Sequence, residues 1–275
     1  MDATALSDPL ARWRAAVEAW RPPGHLRSPG GGPVPRPATV VRGMDEVDLP
    51  PGSRSHERAV QALPEGGTVL DVGCGAGGAS LPLAGRAGLI VGVDPEEHLL
   101  EALRASGRHL GVRVETVRGR WPDVAAEVAP ADVVVCHHVL YGVADLGPFA
   151  AALTARARRR VVVEIPARHP LHALNPLWER FHGLVRPDGP TADDALAALR
   201  AAGVDPRIER WTDRGGWGRY PDLSALADRV RRRLFLPPER TAQVAEALRE
   251  LGVDPARPRF PGTEGRTLCT LWWEP

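Results

Sequence analysis

One turn constrains this chain more than any other stretch. Residues 69–78 read VLDVGCGAGG, an apolar run that ends in four glycines, Gly73, Gly75, Gly77 and Gly78. A glycine-rich strand-to-helix turn lets the backbone bend tightly and lets a ligand approach it closely. A second apolar run, Leu89–Val93, ends at Asp94, about 20 residues on, where an acid at a strand end can accept hydrogen bonds from ribose hydroxyls. Gly73, Gly75 and Gly78 also satisfy G-x-G-x-x-G, the dinucleotide pattern, so turn and acid together point to an adenosine-containing ligand.

The rest of the chain fits around that turn as alternating strands and helices. Strands are predicted at Thr68–Val72, Leu89–Val93, Val112–Val117, Asp132–Cys136, Arg160–Ile165, Arg207–Trp211 and Thr267–Trp272. The runs VVVC and VVVEI are continuous and β-branched, as strands buried on both faces of a parallel sheet should be. Helices are predicted over residues 79–87, 95–106, 145–157, 191–202, 223–234 and 238–251, and this spacing implies βαβ crossovers. Residues 166–190, rich in Pro and His, read as irregular. The start of the chain is different. Leu10, Trp13, Val17 and Trp20 form one helical stripe, residues 21–38 are rich in Pro and Gly, and a short helix covers Arg54–Leu63. The organisation read from this is an N-terminal helix and arm over 1–53, a domain over 54–275, and a helical insertion at about 213–265.

Composition removes several chemistries. The 275 residues contain no lysine, so all 35 basic residues are arginine. Schiff-base enzymes and P-loop nucleotidases both need a lysine. A net charge of +1 disfavours a general nucleic-acid binder. Cys74, Cys136 and Cys269 are too far apart for a zinc motif and odd in number, so no metal or disulfide framework is expected. With no membrane-length apolar run and no apolar core of a signal peptide, a cytoplasmic location is expected.

Asp71, two residues before Gly73, decides between ligands. A carboxylate there repels a pyrophosphate and attracts a cationic amino-acid moiety, as in S-adenosylmethionine. LDVGCGAGG followed by IVGVDP resembles the first two motifs of class I S-adenosylmethionine-dependent methyltransferases, especially those of ubiquinone and menaquinone biosynthesis, and VVVCHHVLYGVADL resembles their fourth-strand region. The resemblance covers residues 54–165. It implies an α/β Rossmann-like, doubly wound sheet of seven strands, the last antiparallel, and a small-molecule substrate. It implies that Asp71, Gly73, Gly75 and Gly77 hold the methionine part, that Asp94 holds the ribose, that Pro95 lies near the adenine, and that His137 faces the methionine side. The family often has an Asp after the third strand that binds the adenine amine. This chain has Gly119-Arg120-Trp121 instead, so Trp121 is the candidate for that contact, by stacking or through its backbone, unless it simply packs.

Methyl transfer needs a base only if the acceptor loses a proton. His138 and Tyr141, at the carboxyl end of the fourth strand, are the candidates for base or substrate binder, and Glu164 falls at the same level. His169, His172 and His182 with Glu179 are too irregularly spaced for one metal-binding helix face. Trp178, Phe181, Trp211 and Trp217 line a substrate pocket or pack a core. The clusters Arg156–Arg160 and Arg229–Arg233 keep an RNA methyltransferase in view. The G-x-G-x-x-G pattern by itself also admits an NAD(P)-dependent oxidoreductase, and Arg120 in place of the family's Asp admits a non-catalytic cofactor-binding or interaction protein.

Overall fold

The computed structural model describes residues 8–26, 39–50, 52–214 and 218–275. Residues 27–38 of the predicted arm, and Trp217, lie outside them. The strands are β1 (Gly67–Val72), β2 (Ala87–Asp94), β3 (Arg113–Arg118), β4 (Ala131–His137), β5 (Ala157–Pro166), β6 (Arg207–Thr212) and β7 (Thr267–Trp273). They form one sheet in the order β3-β2-β1-β4-β5-β7-β6. β7 runs antiparallel to both neighbours, and the β1–β2, β1–β4, β2–β3 and β4–β5 pairs are parallel. The winding reverses between β1 and β4, so a crevice is expected at their carboxyl ends.

The helices are α1 (Pro9–Ala19), α2 (Arg54–Ala62), α3 (Glu97–Leu110), α4 (Leu146–Arg156), α5 (Asn175–His182), α6 (Ala192–Ala201), α7 (Leu223–Arg233) and α8 (Thr241–Glu250). One face of the sheet buries Leu70, Val134, Val163 and Leu271 against α4, α6 and Trp13 of α1. The other buries Val69, Ile90, Val135 and Val162 against Ala59 of α2, Leu63 at its end, and Leu83 and Ala84 after β1. Asp8 caps α1, its side chain accepting from the Leu10 amide at 3.0 Å. The Trp13 indole donates to the Val143 carbonyl at 2.7 Å, which ties α1 to the loop after β4.

Two predicted elements differ. Residues 79–87 do not form an α-helix: the chain makes a single 3-10 turn, Leu81–Leu83, and enters β2 at Ala87. Pro82 and Gly85 lower helix propensity, and so short a connection cannot repay the cost of helix nucleation. Conversely, the stretch read as irregular contains α5. Leu174, Leu177, Trp178 and Phe181 lie at helical spacing, and Gly183 ends the helix at φ 64°.

α5 joins the helices that precede β7. Leu174, Leu177 and Trp178 pack with Leu226, Val230, Val244 and Leu248 of α7 and α8 to form a separate apolar lobe. Near the start of the chain, Val41 and Val47 pack on Cys74, Leu81, Leu100 and Leu103, and the Val41 amide donates to Ser106 Oγ of α3 at 2.9 Å. Among the described residues no helix is long and apolar enough to cross a membrane.

Candidate active site

The glycine turn folds back onto β2 rather than outward. The Gly73 and Cys74 amides donate to the Val93 carbonyl at 2.8 and 3.0 Å, and the Gly75 amide donates to Asp94 Oδ2 at 2.9 Å. Gly73 and Gly77 have φ of 70° and 98°, and a Cβ on either would come within 2.6 Å of Val139 or Leu103. Asp94 also accepts from the Glu96 amide at 3.0 Å, which fixes the carboxylate at the end of β2. Pro95 beside it is exposed, and its carbonyl accepts from Arg118 Nε at 3.3 Å.

This arrangement is a poor diphosphate cradle. Three of the turn's amides are spent on Val93 and Asp94, and no α-helix follows whose N-terminus could face an anion. Asp71 is 1% exposed, and its Oδ2 accepts from the Ser80 hydroxyl at 2.6 Å. Its Oδ1 is buried with no hydrogen-bond partner among the described residues. Burial pushes the Asp71 carboxyl up to about 7 against the opposing Ser80 bond, with Asp94 adding to the rise. A buried acceptor without a donor fits an ammonium group. The residues present therefore suit the amino-acid end of S-adenosylmethionine and not a nicotinamide dinucleotide.

On the same face of the sheet, β4, β5 and β7 bring His137, Glu164 and Thr270 into one row. His138, just past β4, has φ 60°, a conformation rare outside glycine and asparagine. Its amide donates to the Glu164 carbonyl at 2.7 Å, and its Nε2 lies 3.2 Å from Glu164 Oε1. Burial alone would raise the Glu164 carboxyl. His137, the bond from His138 and the Ser55 hydroxyl outweigh it and hold the group down to about 2. An ionised carboxylate only accepts, so the His138 Nε2 carries the hydrogen of this contact.

Behind Glu164 lies a buried polar chain. Ser55, at the start of α2, meets Thr270 Oγ1 at 2.7 Å, and the Trp211 indole donates to that Thr270 oxygen at 3.0 Å. With Trp211 donating to Thr270, the Thr270 hydroxyl is set to donate to Ser55, and Ser55 to Glu164. His137 contributes an Nε2 that is buried with no partner among the described residues, and burial pulls its imidazole down to about 4.

The other candidates take different positions. The Tyr141 ring is buried beside Trp13, and its hydroxyl donates to the Pro166 carbonyl at 2.7 Å. Burial raises its pKa, so the phenol is tied to the backbone and unsuited to act as a base. Trp121 packs against the larger core, with its indole 3.4 Å from the Phe149 carbonyl, and Arg120 is exposed. Trp178 and Phe181 belong to the helical lobe. His182 meets the Leu234 carbonyl at 2.7 Å, and His172 Nδ1 meets the His169 carbonyl at 2.8 Å, so these two histidines face separate partners. No group of three His, Cys, Asp or Glu able to hold a metal occurs among the described residues. The arginines at 156–160 lie where β5 begins, at the opposite end of the sheet from Glu164, and Arg231 and Arg232 both pair with Asp228.

His169 stacks on Trp20 with 3.7 Å between ring centroids and is 6% exposed. Burial, then His172 and Arg186, pull its pKa down to about 3. The folded state therefore resists a proton that the unfolded chain accepts near 6.5, so this stabilisation is complete above pH 6.5 and declines as the pH falls toward 3. Between pH 7 and 5, wild type is expected to lose about 2 kcal/mol relative to His169→Phe, measured by urea unfolding of both at each pH.

The sheet order, the acid at the end of β1, the glycine turn and the acid at the end of β2 form a Rossmann-like frame similar to that of class I S-adenosylmethionine-dependent methyltransferases. Residues 69–161 match the family model described as a methyltransferase domain. The chain is 41% identical over 103 residues to the ubiquinone biosynthesis O-methyltransferase of Hahella chejuensis, a match covering 37% of this chain and 42% of that protein. It is 35% identical over 91 residues to the carboxy-S-adenosyl-L-methionine synthase of Wolinella succinogenes, covering 31% of this chain and 37% of that one. The chain thus spans less than half the length of these curated relatives. The YcgJ protein of Bacillus subtilis shares the fold, with a TM-score of 0.52 at 16% identity over 80% of this chain and 98% of that one.

Proposed function

We propose that this chain transfers a methyl group from S-adenosylmethionine to a hydroxyl of a small-molecule acceptor, with His138 as the general base. The observation that carries the reading is Asp71 Oδ1, a buried acceptor without a donor beside a turn whose amides are already spent. Asp71 holds the ammonium. Gly73, Gly75 and Gly77 keep side chains off the turn, Asp94 serves the ribose, Pro95 flanks the adenine, and His137 borders the methionine side. S-adenosylmethionine, when bound, supplies a methyl group on a positively charged sulfur.

The residues of the chain then handle the proton. His138 takes it at Nδ1 as the acceptor oxygen gains the methyl, and the ring becomes an imidazolium. Glu164, already ionised, stabilises that charge through the bond to Nε2. The O-methyltransferase relative supports an oxygen as the acceptor atom. Calorimetric titration with S-adenosylmethionine tests the cofactor half, and saturable heat is expected; no heat at millimolar ligand would overturn it. A screen of small hydroxy compounds with labelled methyl donor tests the transfer.

A further inference from the structure

A cavity of about 250 Å³ opens where β5 ends and β7 begins. Arg168, His172 and Arg266 line it, together with Pro166 and Thr267, and among the described residues no acidic side chain does. Pro166 is two residues beyond Glu164 on the same strand, a rise of roughly 7 Å. The cavity therefore sits at the carboxyl end of β5, just beyond the Glu164 that pairs with the proposed base.

Both arginines are ion-paired from outside the cavity, and each keeps N–H groups to spare. Arg266 is anchored from behind: its Nε donates to Asp213 Oδ2 at 3.0 Å, and Asp213 is 2% exposed. That single bond engages one edge of the guanidinium and leaves both Nη groups without a hydrogen-bond partner among the described residues. Among the described residues the Arg168 guanidinium pairs with the exposed Asp188, through one Nη at 3.3 Å, a contact that solvent screens. His172 has its Nδ1 held at the His169 carbonyl, and Thr267 completes the lining. Fork-shaped donors converging from two arginines match the paired oxygens of a carboxylate or phosphate.

We infer that this cavity is an oxyanion subsite, which takes a carboxylate or phosphate group of the acceptor. Its use by an acceptor rests on the methyl-transfer reading, but anion binding itself does not. The test is nuclear magnetic resonance titration of the whole protein with sodium phosphate and, separately, sodium acetate, at constant pH and ionic strength. The His172 ring signals, assigned by their loss in His172→Gln, are the readout. At least one anion is expected to shift them saturably in the millimolar range, and Arg168→Gln, an exposed substitution, is expected to weaken that binding at least fivefold. Tighter phosphate binding marks a phosphorylated acceptor, and tighter acetate binding a carboxylic acid. A shift that does not saturate, or one unchanged in Arg168→Gln, overturns the subsite. Because no cofactor is present, either result stands apart from the outcome of the S-adenosylmethionine titration.

Discussion

His138→Asn is expected to lower kcat by about 10²–10⁴-fold, the usual worth of a positioned general base, while leaving S-adenosylmethionine affinity essentially unchanged. Asparagine is chosen because position 138 has φ 60°, which Asn tolerates better than most residues, so the backbone keeps its path. The imidazole is lost, and with it the bond to Glu164. The measurement pairs single-turnover transfer of labelled methyl with calorimetry of the cofactor. Glu164→Gln separates the base from the residue that orients it. With the carboxylate gone, an imidazolium on His138 loses its partner, so kcat should fall while S-adenosylmethionine affinity holds. Unchanged kcat in His138→Asn would remove the residue from the chemistry.

Asp71→Ala is expected to weaken S-adenosylmethionine binding by about 100-fold, or close to 3 kcal/mol, as befits a lost hydrogen bond between charged groups in a buried site. The pH dependence is more diagnostic than the loss. Burial holds this carboxyl up at about 7. A bound ammonium favours the ionised form and lowers that value, so binding releases a proton. Wild-type affinity should then rise as pH increases from 5.5 toward 7, by up to about tenfold per unit, and level off above 7. Asp71→Asn should lose this dependence. It should also unfold no more easily than wild type at pH 7, because the raised carboxyl costs the folded state stability above its ordinary range. Calorimetry in buffers of different ionisation enthalpy counts the protons released. An affinity indifferent to pH in wild type would mean that Asp71 does not meet the ammonium.

What is legible in the sequence follows from which contacts are local. The glycine turn, Asp71 and Asp94 are encoded within 24 residues, and the strands around them are continuous β-branched runs. The helix predicted over 79–87 does not form, because Pro82 and Gly85 outweigh the apolar spacing around them. α5 is hidden for the opposite reason, since Pro and His obscure the stripe of Leu174, Leu177, Trp178 and Phe181. The polar chain behind Glu164 is out of reach: Ser55 and Thr270 are 215 positions apart, and only the sheet brings them together. Tyr141 is a candidate base by its position along the strand, and a position cannot show that its hydroxyl turns back to Pro166.

The segment between β6 and β7 leaves and re-enters the sheet at partnered residues, since Thr212 and Thr267 face each other across the β6–β7 pair. In polymer terms, residues 213–266 are a long loop closing an antiparallel hairpin. Closure entropy grows only with the logarithm of length, so this excursion costs about 2 kcal/mol more than a tight four-residue turn. Because its two ends are already fixed by strand pairing, the segment can lengthen, shorten or be exchanged with little strain on the sheet. Arg266 sits at its hinge. In the proposed reading, this segment can therefore be remodelled beside the oxyanion subsite while the glycine turn and the His138–Glu164 pair stay as they are.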